Sequence, residues 1–152
     1  MCGESIAHDT RGPRMDETLW LIGRILFGVL FVGSGIGHLT GIEGSTQYAA
    51  AKGVPSPKNA VILSGVVWLL GGLMVIFGFL GDLGAFALAV CLILATGYMH
   101  RFWEVTDPQT RQVEMAMFMK NVALVGAALF LAGWFGHKGV PQTLTDGLFD
   151  FF

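Results

Sequence analysis

Few ionisable side chains fall within the apolar stretches of this 152-residue chain, and each is costly there by at least a few kcal/mol unless it finds a partner, a wet cavity or a route to the interface. Arg24, His38, His100 and Lys120 are the ones with chemical potential. After Arg24, the residues Gly28, Phe31, Gly35 and His38 follow at spacings of four, three, four and three, which sets all five on one helix face. At 1.5 Å per residue, Arg24 and His38 are about 21 Å apart, so they belong to opposite ends of that helix and cannot share one small site. If successive apolar spans alternate in direction, His38 at the end of the first, His100 at the end of the third and Lys120 one to two turns into the fourth arrive at the same end. Arg101, Trp103, Glu104 and Glu114 adjoin them. Two imidazoles, an ammonium and carboxylates under an aromatic lid suit an oxygen-rich polar head, such as a quinone carbonyl or a lipid phosphate, with apolar walls for its tail.

Plainer readings compete at each position. Arg24 and Lys120 fit snorkelling stems, and His38 and His100 fit partners for terminal helix carbonyls. Trp20, Trp103 and Trp134 fit an interfacial belt, which leaves Trp68, in mid-span, as packing or pocket wall. Met115, Met117 and Met119 recur with period two, which a helix spreads around its circumference, so they read as core and lipid filling. No Glu-x-x-His or His-x-x-x-His pair fixes two ligands on one face, and no metal site is expected. Hydrolytic machinery is not visible: there is no phosphate-binding glycine loop in a strand context and no Ser-His-Asp set. Cys2 sits in a polar leader and Cys91 inside an apolar span, so they form no redox pair, and Cys91 reads as a small buried apolar residue.

The elements that must position these residues follow from composition. Hydrophobic residues make up 53% of the chain and charged residues 13%, against roughly 25% charged in soluble domains. The apolar residues form four spans, about 19–40, 60–80, 83–101 and 115–135, each near the roughly 20 residues that cross about 30 Å of hydrocarbon. The expected fold is all-α, an integral membrane antiparallel four-helix bundle over residues 19–136, preceded by a polar leader (1–18) and followed by a polar tail with an aromatic end (137–152). The first span is too long for a signal-peptide core, and no small-residue cleavage site follows it. Gly28, Gly33, Gly35 and Gly37 on the first span and Gly71 and Gly72 on the second are candidate helix-packing positions. Residues 45–58 suggest a short interfacial helix and a rigid turn that can cover the mouth of the bundle. Gly81-Asp82 leaves only a tight turn between spans two and three, and Asp107-Pro108 reads as a turn start. The aromatic terminus is expected to rest at the membrane interface. Both termini then lie on one side and the two longer loops on the other, with Lys and Arg too evenly shared to set the orientation. The net charge of -2, scattered along the chain, excludes a nucleic-acid stripe and places partners in the membrane.

Read in order, Arg24-Ile25-Leu26-Phe27-Gly28, Gly35-Ile36-Gly37-His38-Leu39, Gly71-Gly72-Leu73, His100-Arg101-Phe102-Trp103-Glu104, Asp107-Pro108 and Phe118-Met119-Lys120-Asn121-Val122-Ala123-Leu124 resemble the DoxX family over about residues 21–131. The resemblance implies a small bacterial or archaeal protein of the cytoplasmic (inner) membrane, linked in some members to quinone-reducing thiosulfate oxidation and in others to an oxidoreductase complex that handles thiol stress. By position, it carries over Arg24, His38, His100 and Lys120 as polar sites. The sequence departs from the family at Trp68, where much of the family has a glutamate before the Leu-Leu-Gly-Gly run. Loss of that intramembrane acid weakens a proton-coupled mechanism and favours an anionic ligand or a partner's carboxylate.

The expectation is a DoxX-like subunit, not an enzyme on its own, that binds a quinone or similar amphiphile and serves a membrane oxidoreductase complex. The ligand set comprises His38, His100, Lys120, Arg24, Arg101, Trp103, Glu104 and Trp68. Quinone is the candidate cofactor, and nothing is attached covalently. Membrane lipids, complex partners and further copies of the chain are the expected neighbours. The alternatives are a non-catalytic assembly subunit and, more weakly, a lipid or small-solute carrier.

Overall fold

The computed structural model describes residues 15–137, 140 and 143–149, so Cys2, most of the leader, Phe151 and Phe152 lie outside the described residues. The first helix, α1 (Met15–Thr40), begins ahead of the apolar block because Asp16 and Glu17 occupy its first turn, where carboxylates oppose the helix dipole; His38 lies in its last turn. A short helix, α2 (Ile42–Ala51), follows Gly41, as residues 45–58 suggested. Then come α3 (Pro57–Phe77), α4 (Gly81–Met99), one 3-10 turn (Phe102–Glu104) and α5 (Pro108–Phe135). The protein is all-α, and α1, α3, α4 (with the 3-10 turn) and α5 are long and apolar enough to cross a membrane.

Asp107-Pro108 starts a helix, contrary to its reading as the start of a turn. The Asp107 carboxylate accepts from the Thr110 hydroxyl at 2.7 Å and the Thr110 amide at 2.8 Å, while Pro108 fills a first-turn position whose N–H has no helical partner. Those Thr110 donors hold the Asp107 carboxyl below its ordinary range. The early start brings Glu114 onto α5 as a buried helical residue.

Glycines set how closely the helices approach. On the α1/α3 seam, Gly28 meets Gly72 and Ile76, Gly35 meets Leu69 and Gly65, and Gly65 meets His38 and Leu39. A Cβ at Gly35 would sit 2.6 Å from the Leu69 nitrogen, and one at Gly72 would sit 2.8 Å from the Gly28 oxygen, so neither position has room for a side chain. Residue numbers rise along α1 as they fall along α3, so these two helices run in opposite directions. The same order holds for α3 and α4, where Gly71 meets Leu88 and Gly84 meets Met74. It holds also for α4 and α5, where Gly81 meets Phe135, Thr96 meets Asn121 and His100 meets Glu114.

The core lies toward the α3–α4 turn and gathers Phe31, Val75, Ala85, Leu88, Leu92, Leu131, Ala132 and Phe135. Gly78 ends α3 with φ 63°, a left-handed conformation that favours glycine, and donates its N–H to Met74 O. The described part of the tail packs over this turn. The amides of Leu144 and Thr145 donate to Gly78 O at 3.2 Å, the Leu80 amide donates to the Thr145 hydroxyl at 2.8 Å, and the Phe149 amide donates to the buried Asp82 carboxylate at 2.5 Å.

Candidate ligand-binding site

At the opposite end, α1, α3, α4 and α5 enclose a cleft of about 560 Å³, and α2 contributes Ser45, Tyr48 and Ala49 to its lining. The polar lining consists mainly of Ser34, His38, Ser64, His100, Lys120 and Asn121, set among apolar side chains such as Phe31, Val61, Leu92 and Leu124. The volume lies in the range of small-molecule sites, and the mixture of apolar wall and few polar groups is typical of them.

His38 reaches the cleft from the last turn of α1, where Gly65 leaves space for its Cβ. Its Nδ1 lies 3.1 Å from the Ser64 hydroxyl, which itself donates to Val61 O at 3.1 Å. With the Ser64 hydroxyl donating to Val61 O, Ser64 is placed to accept from His38 Nδ1–H, and in that tautomer a neutral ring has its lone pair on Nε2; the ring also hydrogen-bonds the Val61 carbonyl. One turn along α3, Trp68 packs against the imidazole with ring centroids 4.4 Å apart. The Trp68 indole N–H is buried and faces the Cys91 sulfur.

On the other wall, His100 closes α4, with its backbone amide donating to Thr96 O. Its Nδ1 lies 2.7 Å from Glu114 Oε2, while Glu114 Oε1 accepts from Lys52 Nζ at 2.5 Å. One carboxylate on α5 is thereby shared between a cleft-lining imidazole and the residue that caps α2. The hydrogen bond to Glu114 raises the Lys52 ammonium above its ordinary range, against the opposing effect of partial burial. Arg101 adds a second tie, donating to Lys52 O at 2.7 Å and to Glu104 at 3.2 Å. Together these contacts strap the end of α2 to the α4–α5 connection.

Deeper in, Asn121 donates to Thr96 at 3.0 Å, a buried pair that joins α5 to α4. Lys120, the neighbouring residue, lines the cleft and makes no hydrogen bond or ion pair among the described residues. Lys120 is exposed, and its ammonium is a donor for a molecule held in the cleft.

His38, His100, Lys120 and Trp68 therefore surround one cavity. Arg24 does not join them: it is buried beside a separate groove with Asp16, Trp20, Phe27 and Phe130, toward the other end of α1. Arg101, Trp103 and Glu104 lie outside the cleft lining; Arg101 serves the strap, and Trp103 packs edge-on against Phe102 and Phe118. Gly28, Gly35, Gly71 and Gly72 are taken up by packing within the chain, whereas a Cβ at Gly33 or Gly37 would meet nothing within 4 Å. Cys91 lines the cleft and is only partly buried. Among the described residues, no group of three His, Cys, Asp or Glu is arranged to hold a metal ion.

Sequence reasoning missed the roles of Lys52, Ser64 and Thr96. Ser64 was open to discovery, because it lies four residues before Trp68 and so shares its helix face. Lys52 gave no such signal, since a lysine at the end of a loop helix looks like any solvated charge.

The DoxX family model matches residues 19–101. Inner membrane protein YqjF of Escherichia coli (strain K12) is 32% identical over 119 residues, covering 78% of this chain and 85% of that protein. Inner membrane protein YphA of the same organism is 33% identical over 118 residues, covering 75% of this chain and 81% of that protein. No solved structure matches the chain. With four helices able to span a bilayer and relatives in the inner membrane, the protein is a multi-pass protein of the cytoplasmic (inner) membrane.

Proposed function

This chain belongs to the DoxX family, and from that premise we propose that it is a membrane subunit that holds a quinone or similar amphiphile by its oxygen-bearing head and serves a membrane oxidoreductase complex. The observation that carries this reading is the meeting of His38, His100 and the unpaired Lys120 around one largely apolar cleft. The site fits such a group on its own chemistry, because Lys120 donates to oxygen, each histidine in its neutral form offers Nε2 to a hydroxyl, and Trp68 supplies a flat wall. When bound, a quinone supplies the electron and proton capacity, and the partner supplies the cofactor that exchanges electrons with it. The chain's own residues bind and orient the head, while the α2 strap limits access of water.

A lipid or small-solute carrier is favoured by one observation: four helices here leave a cleft of about 560 Å³ within a single chain. The assembly-subunit reading loses most of its docking surface, because Gly28, Gly35, Gly71 and Gly72 already serve internal packing. Equilibrium binding of a tailed benzoquinone and of a phospholipid to the protein in nanodiscs separates these readings. The proposal expects saturable quinone binding that is lost in Lys120→Ala; phospholipid binding with no quinone binding supports the carrier instead.

A further inference from the structure

We propose that the cleft selects the reduced, hydroxyl-bearing form of its ligand, a quinol in preference to the quinone. This inference rests on the quinone-site reading and sharpens it. His38 gives its Nδ1 proton to Ser64, whose own proton is taken by Val61 O. His100 gives its Nδ1 proton to Glu114, a carboxylate that also accepts from the Lys52 ammonium and, being ionised, can only accept. In each case the neighbours of the ring direct its tautomer: the His38 ring also hydrogen-bonds the Val61 carbonyl, and His100 Nε2 has no hydrogen-bond partner among the described residues. In its neutral form, with the proton on Nδ1, each imidazole is an acceptor at Nε2, one on the α1/α3 side and one on the α4/α5 side of the cleft.

A quinone carbonyl has lone pairs only and leaves both Nε2 atoms unanswered. A phenolic oxygen both donates and accepts, so a quinol can give a proton to an imidazole while taking a hydrogen bond from Lys120. A site whose acceptors are matched by a hydroxyl discriminates against the analogue without one. Each imidazole in contact adds to the preference, and one well-formed bond is sufficient for about tenfold.

The test compares the two redox forms of one ligand. The full chain in nanodiscs, held at about pH 8, above the ordinary histidine range, is equilibrated with decyl-benzoquinone and, anaerobically, with the dithionite-reduced quinol. Dissociation constants are read by dialysis. The expected result is quinol binding at least about tenfold tighter than quinone, with the preference falling toward unity in His38→Phe/His100→Phe. Ser64→Ala, a gentler change that removes the hydroxyl facing His38 Nδ1, reduces the preference part of the way and guards against a double variant that fails to fold. Quinone bound as tightly as quinol overturns the inference and leaves the site reading standing; so does a quinol preference unchanged in the variants. Failure of both forms to bind removes the site reading and the inference together.

Discussion

The two ends of the molecule solve the membrane problem differently. Toward the α3–α4 turn, Val75, Ala85 and Leu88 are fully enclosed, glycine backbones touch across seams, and residues of the tail cap the turn. Toward the α2 end, the same helices leave a cleft and bridge it with polar side chains: Lys52 to Glu114 to His100, Thr96 to Asn121, and His38 to Ser64. Apolar surface alone does not drive helices together in lipid, so association rests on close packing and interhelical hydrogen bonds. The closed end uses the first and acts as a scaffold. The open end uses the second, which tolerates a cavity because hydrogen bonds hold helices together across a gap that van der Waals contact cannot span.

The comparison breaks most severely at a glycine of the closed seam. Gly72→Leu places a side chain against Gly28 O and Val32 and is expected to destabilise the fold by about 3 kcal/mol, as overpacking does. The matched Gly33→Leu, facing open space, is expected to change stability by less than about 0.5 kcal/mol; thermal unfolding in detergent compares the two. At the open end, Glu114→Gln keeps the shape but removes the charge that Lys52 and His100 share. It is expected to lower stability by about 1–3 kcal/mol, the range for hydrogen bonds to charged groups, and to speed proteolysis within α2. The smallest effect is pH-dependent. Because the folded-state Lys52 ammonium titrates above its ordinary value of 10.5, its contribution is complete below that pH and is lost as pH rises through the folded value. The gap in thermal midpoint between the wild type and Lys52→Met, equivalent to about 1 kcal/mol or less, is expected to hold from neutral pH to about 9 and to close above 10.5.

Much of this division was legible in the sequence, for identifiable reasons. Hydropathy and span length carry the four helices, and alternating direction alone brings His38, His100 and Lys120 to one end. The run Tyr48-Ala49-Ala50-Ala51 signals α2. Contacts between residues distant in sequence left no trace. Lys52 and Glu114 are 62 residues apart, and nothing local in either marks a partner. The tail over Gly78 was hidden for the same reason, since Thr145 and Leu80 look like ordinary loop residues until the fold brings them together. Asp107-Pro108 was misread because the pair suits both a turn and a helix start, and Thr110 decides between them by donating to the aspartate. The same helical face carries Arg24 and His38, yet only His38 reaches the cleft, because the face runs the length of α1 and the cleft occupies one end of it.

The central claim, that the open end is a ligand site held by a separate scaffold, is tested most directly by measuring benzoquinone affinity and thermal midpoint on the same preparations of wild type and Lys120→Ala. Lys120 forms no bond within the described fold, so the account predicts an affinity loss of about tenfold or more with an unchanged midpoint in the ligand-free protein. Unchanged affinity in Lys120→Ala contradicts it.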